Sequence, residues 1–162
     1  MTEKRVVFAL VPIAVLRAHE RVVPAKVQAL ADELERSGVF VDPIWVARGT
    51  DVVLNGHHRI AALRRLGAAR VPAWLIDYDG DLVRIDRWTP GRPISKAEVV
   101  RRARKGALFP PQTTRHRLAE ELPHRPTPLS ELLEQKRRPK PTAQRSRSTA
   151  RRPSRARSSP PG

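Results

Sequence analysis

Apolar and polar positions along residues 6–135 follow two periods, one of strands and one of helices. Val6 to Leu10 is β-rich and predicts a first strand, which Ile13 to Leu16 continues or follows with another beyond Pro12. After the polar break Arg17-Ala18-His19-Glu20, Val27, Leu30, Ala31 and Leu34 recur at i, i+3, i+4 and i+7. That spacing predicts a helix with one buried stripe, opened near Pro24 and stopped by Gly38. Ile44 to Ala47 and Val52 to Leu54 predict short strands around the turn Arg48-Gly49-Thr50-Asp51. A second helix is expected from about His57 to Leu66, with Ile60, Leu63 and Leu66 inward and Gly67 as its stop. Val71 to Ile76 reads as a strand, and Leu82 to Trp88 alternates weakly as another after the Asp77-Tyr78-Asp79-Gly80-Asp81 turn. Ser95-Lys96-Ala97-Glu98 is a capping box for a third helix ending near Gly106. Phe109-Pro110-Pro111 reads as an extended link, and a last short helix is expected from Thr127-Pro128 over Leu129, Leu132 and Leu133. The expected fold is a small α/β (α+β) domain over residues 1–135, a small mixed sheet with three to four helices.

Charge separates this domain from the C-terminal residues. The net charge is +16, and residues 136–162 contribute ten basic side chains with no acid, leaving +6 for residues 1–135. Residues 136–162 are otherwise Pro, Ser, Thr, Ala, Gln and Gly. With no large apolar side chain to bury, they are expected to be a disordered basic tail. Such a tail can contact nucleic acid or another acidic surface through counterion release. There is no cysteine, which excludes disulfides, thiolate catalysis and Cys-ligated zinc. No apolar run approaches the ~20 residues that cross a bilayer. No small-residue cleavage site follows the basic start, so a cytoplasmic protein is expected.

Three polar clusters interrupt the apolar pattern. In Asn55-Gly56-His57-His58-Arg59, three basic residues stand where a helix begins. A helix start carries unpaired N–H groups and partial positive charge, so basic residues there point to an anion, a phosphate above all. Adjacent histidines point about 100° apart on a helix, which argues against zinc. His19-Glu20 precedes the first helix, where a carboxylate could take a proton from a substrate hydroxyl. Thr113-Thr114-Arg115-His116 offers hydroxyl, guanidinium and imidazole donors behind a rigid diproline. Two donor-rich turns converging on one polyanion suit phosphoryl transfer, which also needs a positioned hydroxyl and usually Mg2+. No Walker-type loop or kinase Asp-Phe-Gly triplet is present.

These residues, in this order, resemble the ParB/sulfiredoxin-like superfamily and, within it, the free L-serine kinases. The resemblance covers most of residues 6–135. It rests on His19-Glu20, Ser37-Gly38-Val39-Phe40, Asn55-Gly56-His57-His58-Arg59, Trp88 and Pro111-Gln112-Thr113-Thr114-Arg115-His116. It implies phosphoryl transfer from ADP or ATP to the hydroxyl of free serine or a similar hydroxy amino acid. Glu20 would be the general base. Gly56, His57, His58, Arg59, Thr114, Arg115 and His116 would hold the nucleotide phosphates, and Ser37, Thr113 and Trp88 would line the amino-acid pocket. Asn55 stands where those kinases have an acid, leaving a carbonyl oxygen as a weaker contact for Mg2+. Only residues 89–110 join Trp88 to the Thr-Thr segment, without the long insert of archaeal serine kinases. The alternative implied by the superfamily is a ParB-like protein that binds CTP or ATP and uses the basic tail on DNA. The usual Gly-Glu-Arg-Arg box is absent, and sulfiredoxin chemistry is excluded for want of a cysteine.

Overall fold

The computed structural model describes residues 5–133. The proposed basic tail, 136–162, lies outside the described residues. The elements in order are β1 (Val6–Pro12), a 3-10 turn (Ile13–Val15), α1 (Pro24–Ser37), β2 (Val39–Phe40), β3 (Ile44–Ala47), β4 (Val52–Asn55) and α2 (His57–Arg65). Next come β5 (Arg70–Ile76), β6 (Val83–Arg87), α3 (Lys96–Lys105), β7 (Thr114–Leu118), β8 (Thr127–Pro128) and α4 (Leu129–Leu132). This is the mixed α+β architecture expected.

The central sheet has the order β1-β5-β3-β4. β5 runs antiparallel to β1 and parallel to β3, and β3 and β4 form a hairpin. Successive strand residues point to opposite faces, and here both faces are covered. Val71, Ala73 and Leu75 of β5, Val53 of β4 and Ile44 and Val46 of β3 pack with Val27, Ala31 and Leu34 of α1 and Ile60 and Leu63 of α2. Trp74 and Ile76, Val52 and Leu54, and Ala47 pack on the other side with Val99 and Ala103 of α3, Val83 of β6 and Phe109. The sheet is therefore the middle of three layers, and its strands read as nearly continuous apolar runs.

Three expectations need correction. Ile13 to Leu16 is not a strand. Its first residues close a 3-10 turn, with the Leu16 N–H donating to Ile13 O at 3.1 Å. The Ile13 N–H meanwhile donates to Ala69 O, so the chain bends over the end of β5. Thr127-Pro128 is not a helix start but a two-residue strand, in which Thr127 pairs with Phe40 and Pro128 with Val39. The helix is only Leu129–Leu132, and Leu133 falls beyond it. The third, Thr114 to His116, is a strand rather than a turn, since β7 pairs with β6 from Thr114↔Arg87 to Leu118↔Val83. Thr114 and His116 face inward there, and polar residues in those places disguise the alternation.

Candidate active site

Glu20 is held by backbone on both sides. The Arg17 N–H donates to Asp51 O and the Val53 N–H to Arg17 O, which pairs residue 17 with the outer edge of β4. The Phe109 N–H donates to His19 O and the Arg21 N–H to Phe109 O. So pinned, Glu20 is 8% exposed. Its Oε1 accepts the Gln112 N–H at 3.1 Å, and its Oε2 accepts both the Thr114 N–H at 2.7 Å and the Thr114 hydroxyl. Gln112 adopts φ +55°, an unfavourable left-handed conformation for a glutamine, in the turn that delivers these donors. On one side Glu20 borders a polar cleft of about 420 Å³. On the other lies a largely apolar hollow of about 380 Å³ lined by Leu16, Val22, Val53, Ile60 and Leu108 among others.

The polar cleft gathers Glu20, Asn55, Gly56, His57, His58, Trp88, Thr114, Arg115 and His116 from the expected set. β4 ends at Asn55, and Gly56 takes φ +113° to start α2 at once. The first turn of α2 has no acidic residue and no side-chain cap, so its amides face the cleft without a protein anion to satisfy them. The charge at this turn is lower than its residue types suggest. His57 Nε2 accepts the His19 N–H at 3.2 Å and His58 Nε2 accepts the Val23 N–H at 2.9 Å. A ring nitrogen that accepts an amide hydrogen carries none of its own, so both imidazoles are neutral with N–H at Nδ1. Burial lowers the pKa of both; His19, His116 and His58 also depress His57, and Lys26 depresses His58. The two rings also tie α2 to the segment that bears Glu20.

Arg59 turns away from the polar cleft. Its guanidinium donates to the carbonyls of Asp42 and Pro43 and lies 5.8 Å from the Phe40 ring centre. Ser37 is also elsewhere, with its hydroxyl bonded to Val39 at the end of α1. Thr113 is buried beside the cleft rather than lining it, and its hydroxyl donates to Pro110 O at 2.7 Å. Trp88 stands just past β6 and is 57% exposed, with the Arg115 guanidinium 4.4 Å from its ring centre. His116 is bonded at Nε2 to the Tyr78 hydroxyl at 2.8 Å, and burial lowers its pKa to about 3. Burial likewise raises Tyr78, so this pair carries no charge at neutral pH.

Sequence reasoning missed Gln112, Arg117 and Leu54 as lining residues and Tyr78 as the partner of His116. Once β7 is known as a strand, Arg117 follows from Arg115 by the two-residue repeat. Tyr78 is 38 residues from His116, and no local signal joins them.

The cleft does not form a resident divalent-metal site. Among the described residues no three His, Cys, Asp or Glu side chains group to hold an ion. Asn55 offers one carbonyl oxygen, and the Glu20 oxygens already accept three hydrogens.

No family model matches the chain. It is 33% identical over 109 residues to the ADP-dependent L-serine kinase of Thermococcus kodakarensis, covering 65% of this chain and 45% of that protein. It is 37% identical over 91 residues to an ATP-dependent L-serine kinase of Staphylothermus marinus, covering 54% of this chain and 36% of that one. The chain thus matches less than half the length of these curated relatives. The solved structure of a free serine kinase in complex with AMP superposes with a TM-score of 0.73 at 19% identity, over 80% of this chain and 95% of that chain. The chain is thus similar in sequence to L-serine kinases over part of its length, and in fold to a free serine kinase.

Proposed function

We propose that this protein transfers a phosphoryl group from ADP or ATP to the hydroxyl of free L-serine, or a similar hydroxy amino acid, giving O-phosphoserine. The observation that carries this reading is the placement of Glu20. An aimed carboxylate stands in one cleft between an uncapped helix start and a strand bearing Arg115 and His116. In the transfer, the bond from the terminal phosphorus to its bridging oxygen breaks, a bond to the serine oxygen forms, and the hydroxyl proton passes to Glu20. The amides of the Gly56 turn, the Nδ1–H groups of His57 and His58 and the Arg115 guanidinium would hold the phosphates, with His116 buried behind them on Tyr78. Trp88 would border the amino acid and Thr113 would act from behind the cleft wall, whereas Ser37, at the end of α1, would take no part. Arg59 would support the turn through the 42–43 carbonyls. Mg2+ would arrive with the nucleotide, with Asn55 as its protein contact. A reaction that consumes ADP or ATP suits a cytoplasmic protein. Among the described residues no helix is long and apolar enough to cross a membrane.

The test is phosphoserine formation by the full chain with serine, Mg2+ and either ADP or ATP, read by mass spectrometry. Glu20→Gln is expected to lower kcat by about 10²–10⁴-fold, the usual worth of a general base, with nucleotide affinity within about twofold. Absence of phosphoserine from the wild type with both nucleotides would refute the proposal.

A further inference from the structure

We infer that Thr114 and His19 are positioning residues for Glu20 rather than ligands of the nucleotide, and that they leave Oε1 as the oxygen that receives the substrate proton. This rests on the kinase reading of the cleft. Thr114 spends both of its donors on one atom, since its amide and its hydroxyl both donate to Glu20 Oε2. A hydroxyl has a single hydrogen, so Thr114 Oγ1 can then only accept from its other neighbour. That neighbour is His19 Nε2 at 2.8 Å.

His19 is 0% exposed, and burial lowers its imidazole to about 4, so it is neutral at pH 7 and carries one ring hydrogen. The Thr114 geometry puts that hydrogen on Nε2. Nδ1 has no partner within hydrogen-bond distance, and the Val53 carbonyl lies near enough to raise the pKa. The hydrogens therefore run one way, from His19 to Thr114 to Glu20. Oε2 is saturated by this chain, whereas Oε1 takes only the longer Gln112 bond. The titratable rings nearest His19 are His57 on α2, with centroids 4.6 Å apart, and His116 on β7, at 5.6 Å. Both are held neutral by burial, so no cation competes for the carboxylate from behind. Arg115 and Arg117 line the cleft in front.

The experiment compares the full chain with its Thr114→Val, Thr114→Ser and His19→Phe variants. It reads ADP and ATP affinity by calorimetry, and kcat and the serine KM of phosphoserine formation at steady state. In Thr114→Val the kcat should fall about 10–100-fold, the worth of one charge-assisted hydrogen bond, with the serine KM and nucleotide Kd within about threefold. Thr114→Ser should restore kcat to within about threefold, and His19→Phe should lower kcat in the same sense by less. An unchanged kcat in Thr114→Val overturns the inference, and so does a tenfold loss of nucleotide affinity, which would make Thr114 a phosphate ligand. Should the wild type make no phosphoserine, the kinase reading fails by itself, and the nucleotide affinity of Thr114→Val still decides whether Thr114 is a phosphate ligand.

Discussion

Gly56 is where one missing side chain allows the whole turn. A Cβ built there would lie 2.4 Å from Ile44 Cγ2 and 2.9 Å from Ile44 Cβ, and Ile44 is wholly buried in β3. With φ at +113°, a side chain would be strained even in open space. Gly56→Ala is therefore expected to destabilise the protein by at least about 2 kcal/mol in urea unfolding, and an unchanged midpoint would contradict this contact. At this scale the sequence was informative about residue type and order. It pointed to Glu20 and to the Gly56-His57-His58 turn, and the structure brings them into one cleft. It was misleading about charge, because His57 and His58 become neutral acceptors only once the residue 19–23 backbone lies against them. The position of Arg59 was equally hidden, since its carbonyl partners lie 16 and 17 residues earlier, in a loop without regular period.

Among the elements, α3 shows a capping box only half used. Ser95 Oγ accepts the Glu98 N–H at 3.1 Å. The Glu98 carboxylate does not return to Ser95. It takes two bonds from Arg92, at 2.9 and 2.7 Å, and lies 3.3 Å from Arg102 Nε. Ser95→Ala is expected to cost about 1 kcal/mol, the value of one N-cap, as measured by the unfolding midpoint; a cost near zero would assign the helix start to the arginines instead. α1, α2, α3 and the four central strands were legible because their periods reflect burial against the sheet. β2 and β8 were not, since two residues make no period. β7 was hidden for a chemical reason. Its inward positions are Thr114, His116 and Leu118, so the two buried polar side chains interrupt the apolar signal that would have marked the strand.

For the molecule as a whole, His19, His57 and His116 form a neutral cluster beneath the cleft. Burial lowers His19 to about 4 and His116 to about 3, and His57 lies well below the ordinary value of 6.5. The unfolded chain takes up protons near pH 6.5 that the folded chain refuses, so stability is complete above that pH and declines as pH falls toward 4. The loss should reach a few kcal/mol, of order that expected for buried neutral histidines. Glu98, lowered mainly by its bond to Arg92 to about 2, acts in the same sense, but its contribution is lost only below the ordinary carboxylate range. Between pH 6.5 and 5 the histidines should therefore dominate, and unfolding free energies measured across that window should fall with acidity. A flat profile would contradict the neutral cluster. The order β1-β5-β3-β4 has another consequence, for synthesis. A chain made from its N-terminus produces β1 first, yet the strand beside it, β5, begins only at Arg70. Until then Val6, Val7, Phe8, Ala9 and Leu10 have no neighbour in the central sheet, so the nascent chain carries an unpaired, aggregation-prone apolar segment until β5 is made.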